Sequence, residues 1–264
     1  MRIVHFADLH LGIKQYGMPE RQDDFLVATA YIFGRAIELK ADVINLGGDI
    51  FHSLHPSANI VLFLRDLVKQ AQDAGIRVVG VDGNHDNVES AWLKLVGVEP
   101  LAGGTTTIGD IVFAGINGGR ASTIRADLDK LVGSGIAKLD VLCMHLPLAE
   151  MAGFEGVEMS CREIADKVAP LGCRVCLLGD IHDYKETVIG GVRFIYSGSV
   201  EMTAKDENEN KTFSIIDITK DSMQTTVEQI PIRPMLHYHI QNEEALDTLL
   251  ADIEAHTADP RRKP

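Results

Sequence analysis

Short apolar runs alternate with longer segments whose hydrophobic residues recur every three or four positions. The runs at residues 2–7, 41–46 and 76–81 are typical of buried strands in a parallel sheet. Between them, residues 21–40 and 57–74 place apolar side chains at helical spacing, which predicts two amphipathic crossover helices. The order strand, helix, strand, helix, strand predicts a parallel sheet covered by helices.

The second half of the chain has shorter elements and more turns. We predict helices at residues 88–98, 121–132, 160–168 and 242–255. We predict strands at residues 105–108, 111–116, 139–144, 174–178, 185–189, 192–196, 211–218 and 223–230. From residue 185 onward the strands are expected to pair antiparallel, because only turns separate them. Pro231 and Pro234 break the pattern, so we place a boundary near residue 232, between domains of residues 1–232 and 233–264.

Composition narrows the class of protein. The chain of 264 residues is 45% hydrophobic, which allows one large core. It contains no long apolar run and opens directly in strand-like sequence, so we expect no membrane span, no signal peptide and a cytoplasmic location with reduced cysteines. A protein that binds nucleic acid on its own usually has an excess of basic residues to neutralise phosphates, whereas this chain has a net charge of −13. If the protein acts on nucleic acid, bound cations or a partner must supply much of the attraction.

Polar side chains follow five of the predicted strands, each at the point where the strand ends. They are Asp8 and His10, Asp49 and His52, Asn84 and His85, His145, and Asp180 with His182. Strand ends of a parallel sheet lie side by side, so these residues are expected to converge. Carboxylates, imidazoles and an amide oxygen are ligands of divalent ions such as manganese, iron or zinc. Two such ions bridged by Asp49, about 3.5–4 Å apart, would suit displacement at phosphorus.

Each of these pieces also has a structural interpretation. An isolated Asp-x-His or Asn-His-Asp is more often a turn, and a single histidine after a strand is more often a hydrogen-bonded structural residue. The repetition of these residue types after five apolar strands favours the metal site. Outside the pattern, His5 is predicted to lie in the core, and four other histidines are assigned structural positions: His55, His237, His239 and His256.

The pattern resembles a known family. The motifs Asp8-x-His10, Gly48-Asp49, Gly83-Asn84-His85-Asp86, His145 and Gly179-x-x-His182 are similar to those of calcineurin-like metallophosphoesterases. Residues 6–12, 47–52 and 196–201 most resemble the DNA-repair nucleases of that superfamily, SbcD and its meiotic-recombination-eleven relatives. The resemblance covers residues 1–235. It implies an α/β sandwich of two mixed sheets with helices on the outer faces, followed by the start of a small α+β capping domain.

The resemblance also assigns site residues. One metal would be held by Asp8, His10, Asp49 and His182, and the other by Asp49, Asn84, His145 and the residue at position 180. His85 would face the scissile phosphate as proton donor or charge stabiliser, and His52 would orient either His85 or the end of the nucleic acid.

Position 180 departs from the family pattern. The family normally has Gly-His-x-His, whereas this chain has Gly179-Asp180-Ile181-His182. We predict that the Asp180 carboxylate replaces the missing imidazole, because residues two apart in an extended segment point to the same side. The alternative is that Asp180 caps a turn.

The function implied is a two-metal DNA nuclease, using manganese or else magnesium, with 3′ exonuclease and single-strand endonuclease activity in DNA break processing. Implied partners are DNA, an SbcC-type coiled-coil ATPase, and a second copy bound through the helices near 57–74 and 88–98. Two alternatives stay open: a small-molecule or cyclic-nucleotide phosphodiesterase, and a weakly active scaffold subunit. Cleavage of linear DNA compared with a small diester would separate them.

Overall fold

The computed structural model describes residues 1–235 and 243–258. Contacts divide the chain into two compact units, Met1–Pro231 and Ile232–Pro264. None of the helices within the described ranges combines the length and apolar composition that a bilayer-spanning segment requires.

The strands of the first unit are close to those expected from the apolar runs. In chain order they are β1 (Arg2–Phe6), β2 (Val43–Leu46), β3 (Arg77–Gly80), β4 (Glu99–Pro100), β5 (Thr105–Ile108), β6 (Ile111–Ile116), β7 (Val141–His145), β8 (Val175–Gly179), β9 (Lys185–Ile189), β10 (Val192–Tyr196), β11 (Thr212–Ile218) and β12 (Met223–Gln229). Of these, the two-residue β4 was not predicted.

The helices likewise follow the amphipathic segments. They are α1 (Pro19–Glu38), α2 (Ala58–Asp73), α3 (Ala91–Val96), α4 (Ala121–Gly133), α5 (Ala149–Ala152), α6 (Cys161–Val168) and, in the second unit, α7 (Glu243–Ala258). Short 3-10 turns lie at Gln15–Gly17 and Ala169–Leu171. The single-turn α5 was not predicted, because four residues are too few to show a helical period.

Two six-stranded sheets form the first unit, in the orders β12-β11-β1-β2-β3-β4 and β5-β6-β7-β8-β10-β9. β1, β2 and β3 run parallel to one another, and so do β6, β7 and β8. The strands from residue 185 onward pair antiparallel as expected at β9–β10, β11–β12 and β1–β11, but β10 also pairs parallel to β8, which was not expected. The hairpin partner β9 lies outside β10 at the sheet edge, so β10 itself lies next to β8.

One hydrophobic core lies between the two sheets. Ile3 and Val79 from the first sheet belong to one buried apolar cluster with Val141 and Val175 from the second. Helices cover the outer faces. Phe33 of α1 packs edge-on against Phe6 of β1, with ring centroids 5.6 Å apart. On the second sheet, residues of α4 and α6 join those of β7, β8 and β10 in a second cluster. The predicted sandwich of two mixed sheets is therefore confirmed.

The remaining predictions concern cysteines and the second unit. All four cysteines are buried and free, as expected: Cys143, Cys161, Cys173 and Cys176. The predicted last helix is α7. His237 and His239 lie outside the described residues, so their assignment stays a prediction, as does the α+β character of the capping domain.

Candidate metal centre

The predicted site residues meet where parallel strands of both sheets end. β1, β2 and β3 deliver residues from the first sheet, and β7 and β8 deliver residues from the second. The strand ends of the two sheets are in contact at His145. Its Nδ1 donates a hydrogen bond to the carbonyl of Gly47 at 2.8 Å. A Cβ on Gly48 would lie 2.5 Å from that nitrogen, so only glycine allows the two sheets to approach this closely.

Several of the proposed ligands lie on left-handed backbone. The φ angles are 55° at Asp8, 43° at His10, 48° at Asp49 and 98° at Asp180. Such conformations cost on the order of 1–3 kcal/mol each in non-glycine residues and persist where surrounding contacts impose them. Here the His10 N–H donates to the Asp49 carbonyl at 2.9 Å and the Asp8 N–H to the Gly48 carbonyl at 3.0 Å.

The backbone at Asp180 contradicts one sequence argument. We expected an extended segment from Asp180 to His182, but β8 ends at Gly179 and the chain turns at once, with φ of 98° at Asp180. Aspartate tolerates this region better than most residues. The Asp180 N–H then donates to both carboxylate oxygens of Asp8 at 3.1 Å. The turn still directs the Asp180 side chain toward the other site residues.

The first set of donor atoms comes from Asp8, His10, Asp49 and His182. His10 Nε2 lies 3.4 Å from His182 Nε2 and 3.8 Å from Asp49 Oδ2. His182 Nε2 lies 3.9 Å from Asp8 Oδ1. Ligand atoms about 2.0–2.2 Å from a common ion would be separated by distances of this order.

The second set comes from Asp49, Asn84, His145 and Asp180. His145 Nε2 lies 3.0 Å from Asn84 Oδ1, 3.5 Å from Asp49 Oδ2 and 3.7 Å from Asp180 Oδ1. Asp49 Oδ2 is therefore close to a histidine of each set. Asp49 and the other six side chains expected to hold metal are therefore brought together in one cluster.

The chemistry of the donor set fits divalent cations. The Nδ1 of His145 donates to a carbonyl, and the Nδ1 of His182 lies 2.8 Å from the carboxylate of Glu207. Each ring is thus hydrogen-bonded at Nδ1, which leaves the Nε2 lone pair directed toward the carboxylates. Hydrogen bonds of this kind fix the tautomer and orientation of metal-binding histidines.

Without a cation the same groups perturb one another strongly. Burial raises the pKa of Asp8 to about 6 and lowers that of His10 to about 3. Burial alone would lower the pKa of His145, but Asp49, Asp8 and Asp180 raise it to about 10. A proton on His145 therefore offsets part of the negative charge, and a bound cation would displace it.

His85 and His52 lie beside the first donor set. The His85 side chain is 41% exposed, and its Nε2 lies 3.9 Å from Asp49 Oδ2. Its Nδ1 faces the backbone carbonyl of His52 at 3.2 Å, while the two rings stack with centroids 5.5 Å apart. The contact that orients His85 thus includes the His52 main chain, which sequence reasoning did not anticipate.

Other supporting residues were missed. The buried carboxylate of Asp86 accepts hydrogen bonds from the N–H groups of Ile50, Phe51 and Gly83 at 2.8–2.9 Å, joining the loops after β2 and β3. Its place in the Gly-Asn-His-Asp motif was visible but carried no assigned role. Glu207, in a polar loop without periodicity, offered no sequence signal at all. His5 is buried between the sheets, as predicted.

Comparisons with known proteins agree with this geometry. The family model described as calcineurin-like phosphoesterase matches residues 1–184. The DNA double-strand break repair protein Mre11 of Methanosarcina mazei is 29% identical over 89% of this chain and 39% of its own length. The Mre11 protein of Halobacterium salinarum is 29% identical over 84% of this chain and 57% of its own length.

A solved structure supports the fold. The crystal structure of TT1561 of Thermus thermophilus matches 87% of this chain and 99% of its own, with a TM-score of 0.59 at 15% identity. The chain spans about half the length of the two Mre11 relatives, so the match covers only part of those proteins. Because the family model covers well over half of the chain, including all five of the strand ends that converge on Asp49, the chain belongs to the calcineurin-like phosphoesterase family.

Proposed function

We propose that this chain is a two-metal DNA nuclease that hydrolyses phosphodiester bonds during DNA break processing. The observation that carries the proposal is the shared carboxylate. Asp49 Oδ2 lies 3.8 Å from His10 Nε2 on one side and 3.5 Å from His145 Nε2 on the other. A carboxylate between two donor sets is suited to bridging two cations in a phosphodiester-cleaving site.

Two divalent cations bound here would supply Lewis acidity and positive charge beside a phosphate. Asp8, His10, Asp49 and His182 would hold one of them, and Asp49, Asn84, His145 and Asp180 the other. Asp180 adds a carboxylate, so the second set favours harder ions, manganese or magnesium, over zinc. We propose Mn²⁺, with Mg²⁺ as the alternative.

His85 would be the catalytic residue that touches the substrate. Its side chain is 41% exposed, whereas those of His10 and Asp49 are only 4% exposed, and its Nδ1 contacts the His52 carbonyl. An imidazolium there would donate a proton from Nε2 to the leaving oxygen or stabilise charge on the phosphoryl group. His52 would position His85 through both its carbonyl and the stacked rings.

The choice of DNA rests on the Mre11 relatives, which are named as DNA double-strand break repair proteins. The proposal therefore includes 3′ exonuclease and single-strand endonuclease activity and an SbcC-type ATPase partner. A homodimer is also proposed, because Leu62 of α2 and Leu95 of α3 leave 42% and 59% of their surface exposed. Cations and partners would offset the repulsion between DNA and a chain of net charge −13.

The test compares substrates at matched Mn²⁺ concentration: linear duplex DNA, single-stranded DNA, bis-p-nitrophenyl phosphate and a cyclic nucleotide. Asp49→Asn is the control for contaminating nuclease. We expect wild-type protein to shorten DNA from 3′ ends and to cut single strands, and the variant to do neither. Hydrolysis of the small diesters without any DNA cleavage would instead indicate the small-molecule phosphodiesterase.

A further inference from the structure

The loop of residues 199–211 hydrogen-bonds to the Nδ1 of His182. Glu207 Oε1 lies 2.8 Å from His182 Nδ1. The hydroxyl of Thr203 lies 2.9 Å from the same nitrogen and also hydrogen-bonds to Glu207 Oε1. These contacts are on the far side of the ring from the donor set.

The contact fixes which nitrogen carries the proton. An ionised carboxylate can only accept hydrogen bonds, so His182 must donate from Nδ1 to Glu207. The lone pair of the neutral ring is then on Nε2, which lies 3.4 Å from His10 Nε2 and 3.9 Å from Asp8 Oδ1. Glu207 thereby presents His182 in the tautomer that binds a metal.

A buried lysine compensates the charge of Glu207. Lys211 leaves only 2% of its surface exposed, and its Nζ lies 2.6 Å from Glu207 Oε2. The same ammonium donates to Ser199 Oγ at 2.8 Å and to the His182 carbonyl at 3.3 Å. Lys211 therefore contacts both the carboxylate that holds the His182 ring and the main chain of His182 itself.

The loop is anchored to α1 and to the 3-10 turn that precedes it. Gln15 Nε2 donates to the Thr203 carbonyl at 2.7 Å, and Arg21 donates to the Met202 carbonyl at 3.0 Å. Arg21 is itself buried and hydrogen-bonded to the Gln15 side chain at 2.9 Å. The loop is thus held at Met202 and Thr203, and its position does not depend on Glu207 alone.

We propose that Glu207, with Lys211 as its counter-ion, is a positioning residue that orients His182 and sets the affinity of the metal bound there. The proposal rests on the proposed function in taking that metal to be a divalent cation. Partners of this kind behind a metal-binding histidine contribute about 10–100-fold to affinity. The metal at Asn84 and His145 lacks this support and should not depend on it.

The experiment measures Mn²⁺ binding by calorimetry on the full chain and its variants. Glu207→Gln removes the charge and keeps the shape of the side chain. The double variant Glu207→Ala/Lys211→Met removes the pair as a unit, which avoids leaving a buried ammonium unpaired. The control is Asp140→Asn, another buried carboxylate paired with a lysine, Lys138 Nζ at 2.8 Å, at the opposite end of β7 from His145.

We expect one of two Mn²⁺ ions to bind about 10–100-fold more weakly in both Glu207 variants and both ions to bind normally in Asp140→Asn. Unchanged Mn²⁺ affinity in the Glu207 variants, or an equal loss in the control, would overturn the proposal. Nitrogen NMR of metal-free wild-type protein gives a second readout, with the His182 proton expected on Nδ1. If wild-type protein binds no Mn²⁺, the proposed function fails, and the NMR result still decides the inference: a proton on Nε2 refutes it.

Discussion

Replacement of Asp86 by alanine should destabilise the protein through the loops that carry the metal site. The carboxylate accepts three buried hydrogen bonds, from the N–H groups of Ile50, Phe51 and Gly83. Asp86 leaves only 2% of its surface exposed, so water cannot replace those bonds. The variant therefore leaves three backbone donors without an acceptor.

The expected magnitude combines two opposing effects. Hydrogen bonds to a charged group contribute about 1.5–3 kcal/mol each, or about 4–9 kcal/mol for the three. Against this, burial raises the pKa of Asp86 from 3.8 to about 6 even with these bonds in place, so the cost of taking the carboxylate out of water offsets part of their contribution. Removing the carboxylate removes that cost as well. We expect Asp86→Ala to lower the free energy of unfolding by roughly 2–6 kcal/mol.

Urea unfolding followed by circular dichroism measures this change. Asp86→Asn is the graded comparison, because its amide oxygen can keep the bonds to Ile50 and Phe51 and loses the one to Gly83. Asp140→Ala is the control, since it removes one backbone hydrogen bond, that of the Val112 N–H, and the ion pair with Lys138, next to β7 of the second sheet. A loss below about 1 kcal/mol in Asp86→Ala would refute the reasoning, because three unsatisfied buried donors cannot cost so little.

Other changes separate the roles of individual side chains. His85→Ala should retain Mn²⁺ yet lose turnover by about 10²–10⁴-fold, because it removes a proton donor and no ligand; near-normal DNA cleavage would remove His85 from the mechanism. Asp180→Asn should weaken one Mn²⁺ ion and leave the other unchanged, whereas normal binding of both would make Asp180 a turn residue only. Burial lowers the pKa of His5 from 6.5 to about 4. Between these two values the His5 imidazole is protonated in the unfolded chain but stays neutral in the folded chain. Stability should fall by roughly 2 kcal/mol from this residue between pH 7.5 and 5. The fall should be smaller in His5→Gln, and an identical pH slope in variant and wild type would contradict that assignment.

The strands of the parallel sheet and the convergence of the candidate ligands at its carboxyl edge could be predicted from sequence, because both depend on simple periodicities. Buried apolar runs marked the strands, and the polar residues after them had to lie at the carboxyl edge of parallel strands. That logic placed Asp8, Asp49 and Asn84 correctly beside one another. It did not show that β7 and β8 belong to a second sheet, since sheet membership depends on pairing between distant strands.

Features that arise from long-range contacts were not readable. The left-handed turn at Asp180 is imposed by hydrogen bonds to Asp8, 172 positions away in the chain. Glu207 contacts His182 only because the folded chain brings its loop against that ring, and no periodicity or motif in the neighbouring sequence marks it. Asp86 stood inside a recognised motif, but its three acceptor contacts lie in two loops that only the folded chain brings together.

Crystallography of the Mn²⁺-soaked protein, with data collected at the manganese absorption edge, tests the central claim most directly. We expect two anomalous peaks per chain, with Asp49 contacting both ions, Asp8, His10 and His182 contacting one, and Asn84, His145 and Asp180 contacting the other. A crystal of Asp49→Ala should show neither peak while keeping the fold. A single peak in the wild-type protein, or two peaks that both persist without the Asp49 carboxylate, would contradict a bridged two-metal centre.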